Sequence, residues 1–425
     1  MEISERKLEE AIEEALLADG PDVVVSGQAG FRSLSKPYKA PNAFEEFAAG
    51  GYRRREPDSF DRGLCLIPEE VVAFIVSTQP KEWSRLKEFH GEDIRAQFLK
   101  RVAREIESRG VLDVLRNGVK DSGCKFRLAF FRPSSGLNEE IQTLYEANRF
   151  AVVRQLHYSQ KEEKSLDVGI FLNGIPIFTA ELKNPFTGQT VEEAIRQYRF
   201  DRSPKETLLS FRRCLAHFAV DPDLVYVAAR LEGARTRFLP FNQGKFGGAG
   251  NPPVPPTEKG YATRYLWEKV WSKDSILELI QHFIQDVEGG GRGGEEDRGR
   301  VVIFPRYHQL DAVRRLVADA RANGPGRRYL IQHSAGSGKS NSIAWLAHRL
   351  SVLHDSQDRR VFDSIVVITD RRILDRQIQA TIRQFEQTAG IVENIDKTSR
   401  QLKEALEAGK TIIVSTLQKY PVIAG

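Results

Sequence analysis

Between Leu166 and Pro185, two apolar runs, Leu-Asp-Val-Gly-Ile-Phe-Leu and Ile-Pro-Ile-Phe-Thr-Ala-Glu-Leu-Lys, flank the dipeptide Asn173-Gly174. Asn-Gly readily supplies the positive φ angles of a tight turn, so the segment is expected to fold as a β-hairpin. Charge is confined to the end away from the turn: Asp167 opens the first strand, and Glu181 and Lys183 close the second. Folding therefore brings two carboxylates and an amine to one edge of a sheet.

Such a set suits metal-assisted phosphodiester hydrolysis. Asp167 and Glu181 are the hard oxygen donors that Mg²⁺ requires, and a bound Mg²⁺ polarises a phosphate and lowers the pKa of an attacking water. Lys183 can hold that water or offset charge growing on the phosphate. The hairpin must also obey a register. A plain two-residue turn would pair Asp167 with Ala180 and turn it away from Glu181. A three-residue loop with Gly174 as a left-handed bulge would pair Asp167 with Thr179, leaving the two carboxylates diagonal neighbours about 7–8 Å apart at Cβ. The bulged register is the expected one.

A second motif, Tyr-Leu-Ile-Gln-His-Ser-Ala-Gly-Ser-Gly-Lys-Ser, spans residues 329–340. It reads as an apolar strand, a glycine-rich turn and then a helix with Ile343, Leu346, Ala347 and Leu350 on one face. In such a phosphate loop the backbone amides of Gly336, Ser337 and Gly338 cradle phosphates, Lys339 reaches the β/γ-phosphates and Ser340 takes Mg²⁺, which makes ATP the expected ligand. His333 stands where the general pattern has its first glycine.

The sequence Asp-x13-Glu-x-Lys resembles the PD-(D/E)xK nuclease superfamily, with Leu166 in place of the proline. The shortened phosphate loop resembles that of superfamily 2 helicases and translocases, which routinely lack the first glycine. Phe304 to Gln309 resembles the segment of that group whose glutamine reads adenine, making Gln309 the candidate. Residues 365–377 resemble the motif that grips the DNA backbone, with Arg371, Arg372 and Arg376 as phosphate contacts. A competing reading takes Asp370, at the end of an apolar strand, as a metal-holding acid; no Glu follows it, and arginines do. Residues 411–420 resemble the next motif in that order. Histidines 157, 217, 308, 333, 348 and 354 form no ligand spacing and are expected to pack or face solvent, although His333 lies in the phosphate loop.

A nuclease hairpin followed by such a motor resembles the restriction (R) subunit of type I restriction–modification enzymes. The likeness extends to Tyr-Glu-Ala-Asn-Arg (145–149), Arg-Cys-Leu-Ala-His-Phe-Ala-Val (213–220), Leu-Pro-Phe-Asn (239–242) and Tyr-Leu-Trp-Glu (265–268). It implies Mg²⁺-dependent cleavage of unmodified double-stranded DNA, coupled to ATP-dependent translocation. It also implies a methyltransferase (modification) subunit and a specificity subunit as partners. Many such nucleases carry an acid on a preceding helix, for which Glu9 is a candidate, and a Gln-x-x-x-Tyr motif after the lysine. Gln197 matches the glutamine; the fourth residue after it is Asp201, and a tyrosine stands instead at 198.

The expected fold is α/β: a PD-(D/E)xK endonuclease-like domain at 1–260, a connecting helix (Ser275 to Val287) and Gly-rich linker across 261–300, and a first RecA-like ATPase lobe from 301 to 425. That motor also needs an Asp-Glu pair and an arginine from a second lobe. Since the sequence reaches Gly425 first, it is expected to be the amino-terminal part of a longer protein, and alone to hydrolyse ATP negligibly. Its 425 residues, 40% hydrophobic and 28% charged, contain no apolar run of membrane length, and Cys65, Cys124 and Cys214 lack metal-site spacing. A cytoplasmic location is expected. A net charge of +5 permits nucleic-acid binding without arguing for it. Two rival readings remain: a DNA-repair helicase–nuclease, which would place the motor first or carry an iron–sulfur cysteine set, and a nuclease-fold DNA-binding module that no longer cleaves.

Overall fold

The computed structural model describes residues 5–22, 50–133, 138–184, 189–245, 248–288, 299–370, 372–386, 390–395 and 398–420. The chain divides into two compact α/β units, one running up to Arg306 and the other from Tyr307. Among the described residues no helix is long and apolar enough to cross a membrane.

The first unit is built on a seven-stranded mixed sheet whose spatial order follows the chain: β1 (Arg53–Arg54), β2 (Phe150–His157), β3 (Ser165–Leu172), β4 (Ile175–Leu182), β5 (Ala216–Val220), β6 (Val225–Ala228) and β7 (Leu239–Pro240). β1 and β2 are parallel, as are β4 and β5; the other neighbours are antiparallel. β4 is buried along its whole length, as its mostly apolar sequence requires of a central strand, with Thr179 and Glu181 buried among its apolar residues. Helix α1 (Glu5–Leu17) lies against β2 and β4. Leu8, Ile12 and Leu16, four residues apart, form its apolar stripe, and Glu9 and Glu13 are buried beside them.

The β3–β4 hairpin forms, by a different route from the expected one. Asn173 and Gly174 both have positive φ, +51° and +78°, which makes a two-residue turn flanked by the pair Leu172↔Ile175. Asn173 is buried, its amide donating to Leu128 O and Asn148 Oδ1 while its Oδ1 accepts the Arg149 N–H. The bulge lies farther along: Phe171 pairs with Pro176 and Ile170 with Phe178, so Ile177 is the extra residue. Pro176 has no N–H to give the ladder, which makes this the place in β4 where an interruption costs least. Beyond the bulge Val168 pairs with Ala180, so the register sets Asp167 opposite Glu181, not Thr179. The two acids therefore share a face as directly opposed residues rather than diagonal ones.

The stretch expected as a connection belongs to the first unit's core. Trp271 and Phe304 pack edge-on against Phe218 of β5, with ring centroids 5.3 and 5.9 Å away, and Phe304 also meets Phe178 of β4. Arg116 donates to the carbonyls of Ile280 and Ile284, and both Arg212 and Arg300 pair with Asp286. The helical segment runs only from Lys273 to Phe283; Gln285–Glu288 instead pairs antiparallel with Arg300–Ile303, since extended backbone there gains a full set of ladder partners. Residues 289–298, most of the Gly-rich stretch, lie outside the described residues.

In the second unit three parallel strands, Ile365–Thr369, Ile412–Thr416 and Val392–Asn394, pack with the helices Tyr307–Asn323, Lys339–Ser351, Arg372–Gln384 and Ser399–Glu407. The strand expected ahead of the glycine-rich turn is absent. Tyr329, Leu330 and Ile331 have no regular secondary structure, and Leu330 is 93% exposed. Apolar composition becomes a strand only where pairing and burial are supplied, and neither reaches this run.

Gly174→Ala tests the turn. A Cβ there would lie 2.6 Å from Ile67 O and 2.7 Å from Val71 N, on a left-handed backbone that alone costs about 1–2 kcal/mol. The substitution is expected to lower the unfolding free energy of the first unit, measured by urea titration, by more than that amount; an unchanged urea midpoint would show that the turn is unconstrained.

Candidate active site

The charged end of the hairpin is organised around Glu181, which is 1% exposed. Arg202 Nε donates to its Oε1 at 2.5 Å. Burial first, then the charge of Asp167, push the Glu181 carboxyl up to about 8, against the pull of Arg202 and Lys183. Asp167 is half-buried: its Oδ2 accepts the Leu182 N–H at 2.6 Å, and its Oδ1 lies 3.5 Å from Gln155 Nε2. Lys183, also buried, donates to Leu182 O and Glu5 Oε1 at 2.9 and 3.3 Å.

Helix α1 adds the acid proposed for it. Glu9 Oε2 accepts from Arg154 Nε and Nη2, and its Oε1 accepts from Gln155 Nε2 at 2.9 Å. Burial raises the Glu9 carboxyl, and the charge of Asp167 raises it further. The hairpin and helix thus bring Glu9, Asp167, Glu181 and Lys183 into one electrostatic neighbourhood. Among the described residues no three His, Cys, Asp or Glu side chains are gathered as a ready metal cage. The donor set nonetheless suits Mg²⁺, which commonly takes one or two carboxylates and keeps water in its other positions. Arg202 engages only one oxygen of Glu181, and Asp167 Oδ1 has only the long Gln155 contact, so one oxygen of each acid can turn to a cation.

The turn Gln197–Asp201 is π-helical, wider than an α-turn, and it separates the roles of its residues. Tyr198 is fully buried, its hydroxyl 2.9 Å from Thr179 Oγ1, which in turn lies 2.8 Å from His217 Nδ1. Burial lowers His217 to about 3 and keeps it neutral. Gln197 Oε1 is buried without a hydrogen-bond partner. The residue of this segment that touches an acid is Arg202, which the motif comparison missed. Arg154 and Gln155 were missed too, although two consecutive polar residues inside Phe-Ala-Val-Val-Arg-Gln-Leu break the strand's apolar pattern.

The phosphate loop is assembled in the second unit. Gly336 and Gly338 have φ of +74° and +82°, angles that favour glycine, and Gly338 caps the helix Lys339–Ser351. Lys339 is exposed and its Nζ donates to the carbonyls of His333 and Ser334 at 3.1 and 2.9 Å, curling the loop round the ammonium. Gln309, 4% exposed, donates to Ser337 O and Gly338 O at 3.2 and 2.8 Å, so its amide braces the loop. Ser337 is buried and Ser340 half-buried at the helix start. The His308 and His333 rings meet at 4.8 Å beside it. Arg376 is exposed on the helix Arg372–Gln384 and lines a depression with Gln379, Arg383 and Asn394. Arg371 lies outside the described residues, and for Arg372 only the backbone is described.

Residues 82–235 match the family model described as the type I restriction enzyme R protein N terminus, and residues 308–423 match that of the SWI2/SNF2 ATPase. Both matches make the chain similar to type I restriction enzyme R proteins. The R-protein match contains Asp167, Glu181, Lys183, Gln197 and Arg202 but not Glu9. Curated relatives include the type I restriction enzyme HindI endonuclease subunit of Haemophilus influenzae, 25% identical over 64% of this chain and 25% of the relative. The putative type I restriction enzyme MjaVIIIP endonuclease subunit of Methanocaldococcus jannaschii is 25% identical over 74% of this chain and 29% of its own. The SauCOLORF180P endonuclease subunit of Staphylococcus aureus is 21% identical over 64% and 26%. The chain thus spans between a quarter and a third of the length of these R-protein relatives.

The Glu181–Arg202 pair should be visible in stability. In metal-free protein, Arg202→Met leaves a buried carboxylate without its cation. Below about pH 8 the folded Glu181 carboxyl stays largely protonated with or without Arg202, so the added penalty is small. Above that the parent ionises while the variant resists, and the penalty grows by about 1.4 kcal/mol per pH unit. Urea unfolding in chelator at pH 5 and pH 9 measures this; equal destabilisation at both would contradict the pairing.

Proposed function

We propose that this chain supplies the DNA-cutting and nucleotide-driven parts of a type I restriction enzyme. The observation that carries the reading is the register placing Asp167 opposite Glu181, with Lys183 beside them, inside the segment that matches the R protein N terminus. The first unit is read as a PD-(D/E)xK-type endonuclease domain and the second as a first RecA-like lobe, with the domain division expected near residues 260–300 falling instead at Arg306 and Tyr307.

Asp167 and Glu181 would hold Mg²⁺, each through one carboxylate oxygen. The cation supplies positive charge at a phosphate oxygen and lowers the pKa of a bound water. Arg202 lowers the cost of ionising Glu181 when a cation binds and orients it through Oε1. Lys183 would offset charge growing on the scissile phosphate, and Gln197, whose buried side-chain oxygen lacks a hydrogen-bond partner, would serve the same reaction as a positioning group. Glu9, whose two oxygens are already engaged, acts on the site through Gln155 and its own charge.

In the second unit the amides at 336–338 and the Lys339 ammonium would cradle ATP, with Ser340 on its Mg²⁺. Gln309 braces the loop, and its role towards adenine is proposed from the motif resemblance alone. Arg376, with Arg371 and Arg372, would contact double-stranded DNA phosphates. Partners are a modification methyltransferase and a specificity subunit, and the setting is the cytoplasm, in keeping with three free cysteines. The printed names of the relatives, all endonuclease subunits, favour this reading over a repair helicase–nuclease. The module without cleavage is the second reading, since Glu9 and Glu181 are held in ion pairs with Arg154 and Arg202.

The two engines separate by mutation in the assembled enzyme. Asp167→Ala and Glu181→Ala are expected to abolish cutting of unmodified DNA while ATP hydrolysis and translocation persist. Lys339→Ala removes a contact that stabilises the phosphoryl-transfer transition state, and ATP turnover should fall by orders of magnitude. If cutting waits on the motor, cleavage falls with it. Normal cutting by Asp167→Ala would refute the nuclease assignment, and normal cutting by Lys339→Ala would refute the coupling.

A further inference from the structure

Gln155 has a backbone that its surroundings do not explain locally. It lies within β2, yet its φ is +49°, the only positive φ of a non-glycine residue inside a strand among the described residues. Such a conformation is costly for a residue with a Cβ, and it persists where contacts elsewhere hold it in place. The ladder is regular on both sides: Arg154 pairs with Val168 and Leu156 with Leu166. The register is unshifted across the gap, so Gln155 stands opposite Asp167 without being a ladder pair.

The consequence is visible in the side chains. Neighbours along a strand point to opposite faces. Arg154 and Gln155 nevertheless both reach one carboxylate, Arg154 taking Oε2 of Glu9 and Gln155 taking Oε1 at 2.9 Å. The left-handed turn at Gln155 breaks the alternation and makes this possible. From there the same amide nitrogen lies 3.5 Å from Asp167 Oδ1. The orientation of the amide follows from its chemistry. Its nitrogen faces two carboxylates, which only accept, and its oxygen takes the Ser165 Oγ hydrogen at 3.1 Å.

We propose that Gln155 is a positioning residue of the cation site: from a left-handed strand position its amide ties Glu9 on α1 to Asp167 on β3 and sets the separation of these acids for a divalent cation. The proposal rests on the reading of Asp167 and Glu181 as cation ligands. Gln155 itself is not a ligand, since its nitrogen faces the acids. It works by holding the Asp167 carboxylate against rotation and by keeping α1 in register with the hairpin. Partners of this kind, one bond removed from the metal, govern affinity by about 10–100-fold.

The test is Mn²⁺ binding to the full 425-residue chain, read as free Mn²⁺ by electron paramagnetic resonance. Gln155→Ala removes the amide. Gln155→Asn keeps a residue type that tolerates positive φ but shortens the reach by one methylene, so a folding defect in the first does not decide the matter. Asp167→Asn is the control on the site itself. Both Gln155 variants are expected to raise the Mn²⁺ Kd at least 10-fold, with Gln155→Asn melting as the parent does in chelator and Asp167→Asn abolishing the site. Parent-like affinity in Gln155→Asn, with binding lost in Asp167→Asn, would overturn the role of Gln155 and leave the cation site standing. Unchanged affinity in Asp167→Asn would overturn the cation site and this inference with it.

Discussion

Burying Glu181 is the demand that the rest of the first unit answers. A carboxylate at 1% exposure in the central strand of a sheet is costly unless charge and hydrogen bonds compensate it. The compensation comes from two directions: Arg202, just after the π-helical turn, and Lys183, at the end of β4. It remains incomplete, because Asp167 adds a like charge and Glu181 stays well above the ordinary carboxylate range. An arrangement that gathers negative charge and only partly cancels it attracts a cation. That links the packing of this sheet to the proposed chemistry.

Much of the hairpin was legible in advance because its information is local. Asn173-Gly174 specifies the turn, the two apolar runs specify the strands, and alternation puts Glu181 and Lys183 together. The register was not legible in the same way. Of the two alternatives for the turn, one has no bulge and the other, the expected one, puts it at Gly174, whereas the structure has it at Ile177, beside a proline that cannot pair. Strand bulges answer to neighbouring strands as well as to turn residues, and Asn173 is held by Leu128 and Asn148, which no local pattern connects to it. The missed residues have the same origin. Arg202 reaches Glu181 across the β4–β5 crossover, and Gln155 reaches Glu9 from 146 positions away in sequence.

The second unit shows the converse. Its glycines lie in the left-handed region as the motif demands, and the helix begins at Lys339 as expected. The apolar run before them carried an equally clear strand pattern and forms none, since a strand is a property of a pair of segments. The stretch 261–300, expected as a connection, is part of the first unit for a related reason. Trp271, Phe283 and Phe304 are the apolar residues a domain core uses, and the glycines that suggested a boundary lie between two paired segments rather than at the end of the unit.

The central claim is that Asp167 and Glu181 jointly bind a divalent cation, and the most direct measurement is a crystal structure of the chain grown with Mn²⁺, using anomalous scattering to locate the ion. The account predicts an anomalous peak between Asp167 Oδ1 and Glu181 Oε2, with Glu181 Oε1 still on Arg202 and water completing the coordination. Ordered Asp167 and Glu181 side chains with no peak between them at saturating Mn²⁺, or an ion bound elsewhere while both acids keep their present partners, would contradict it.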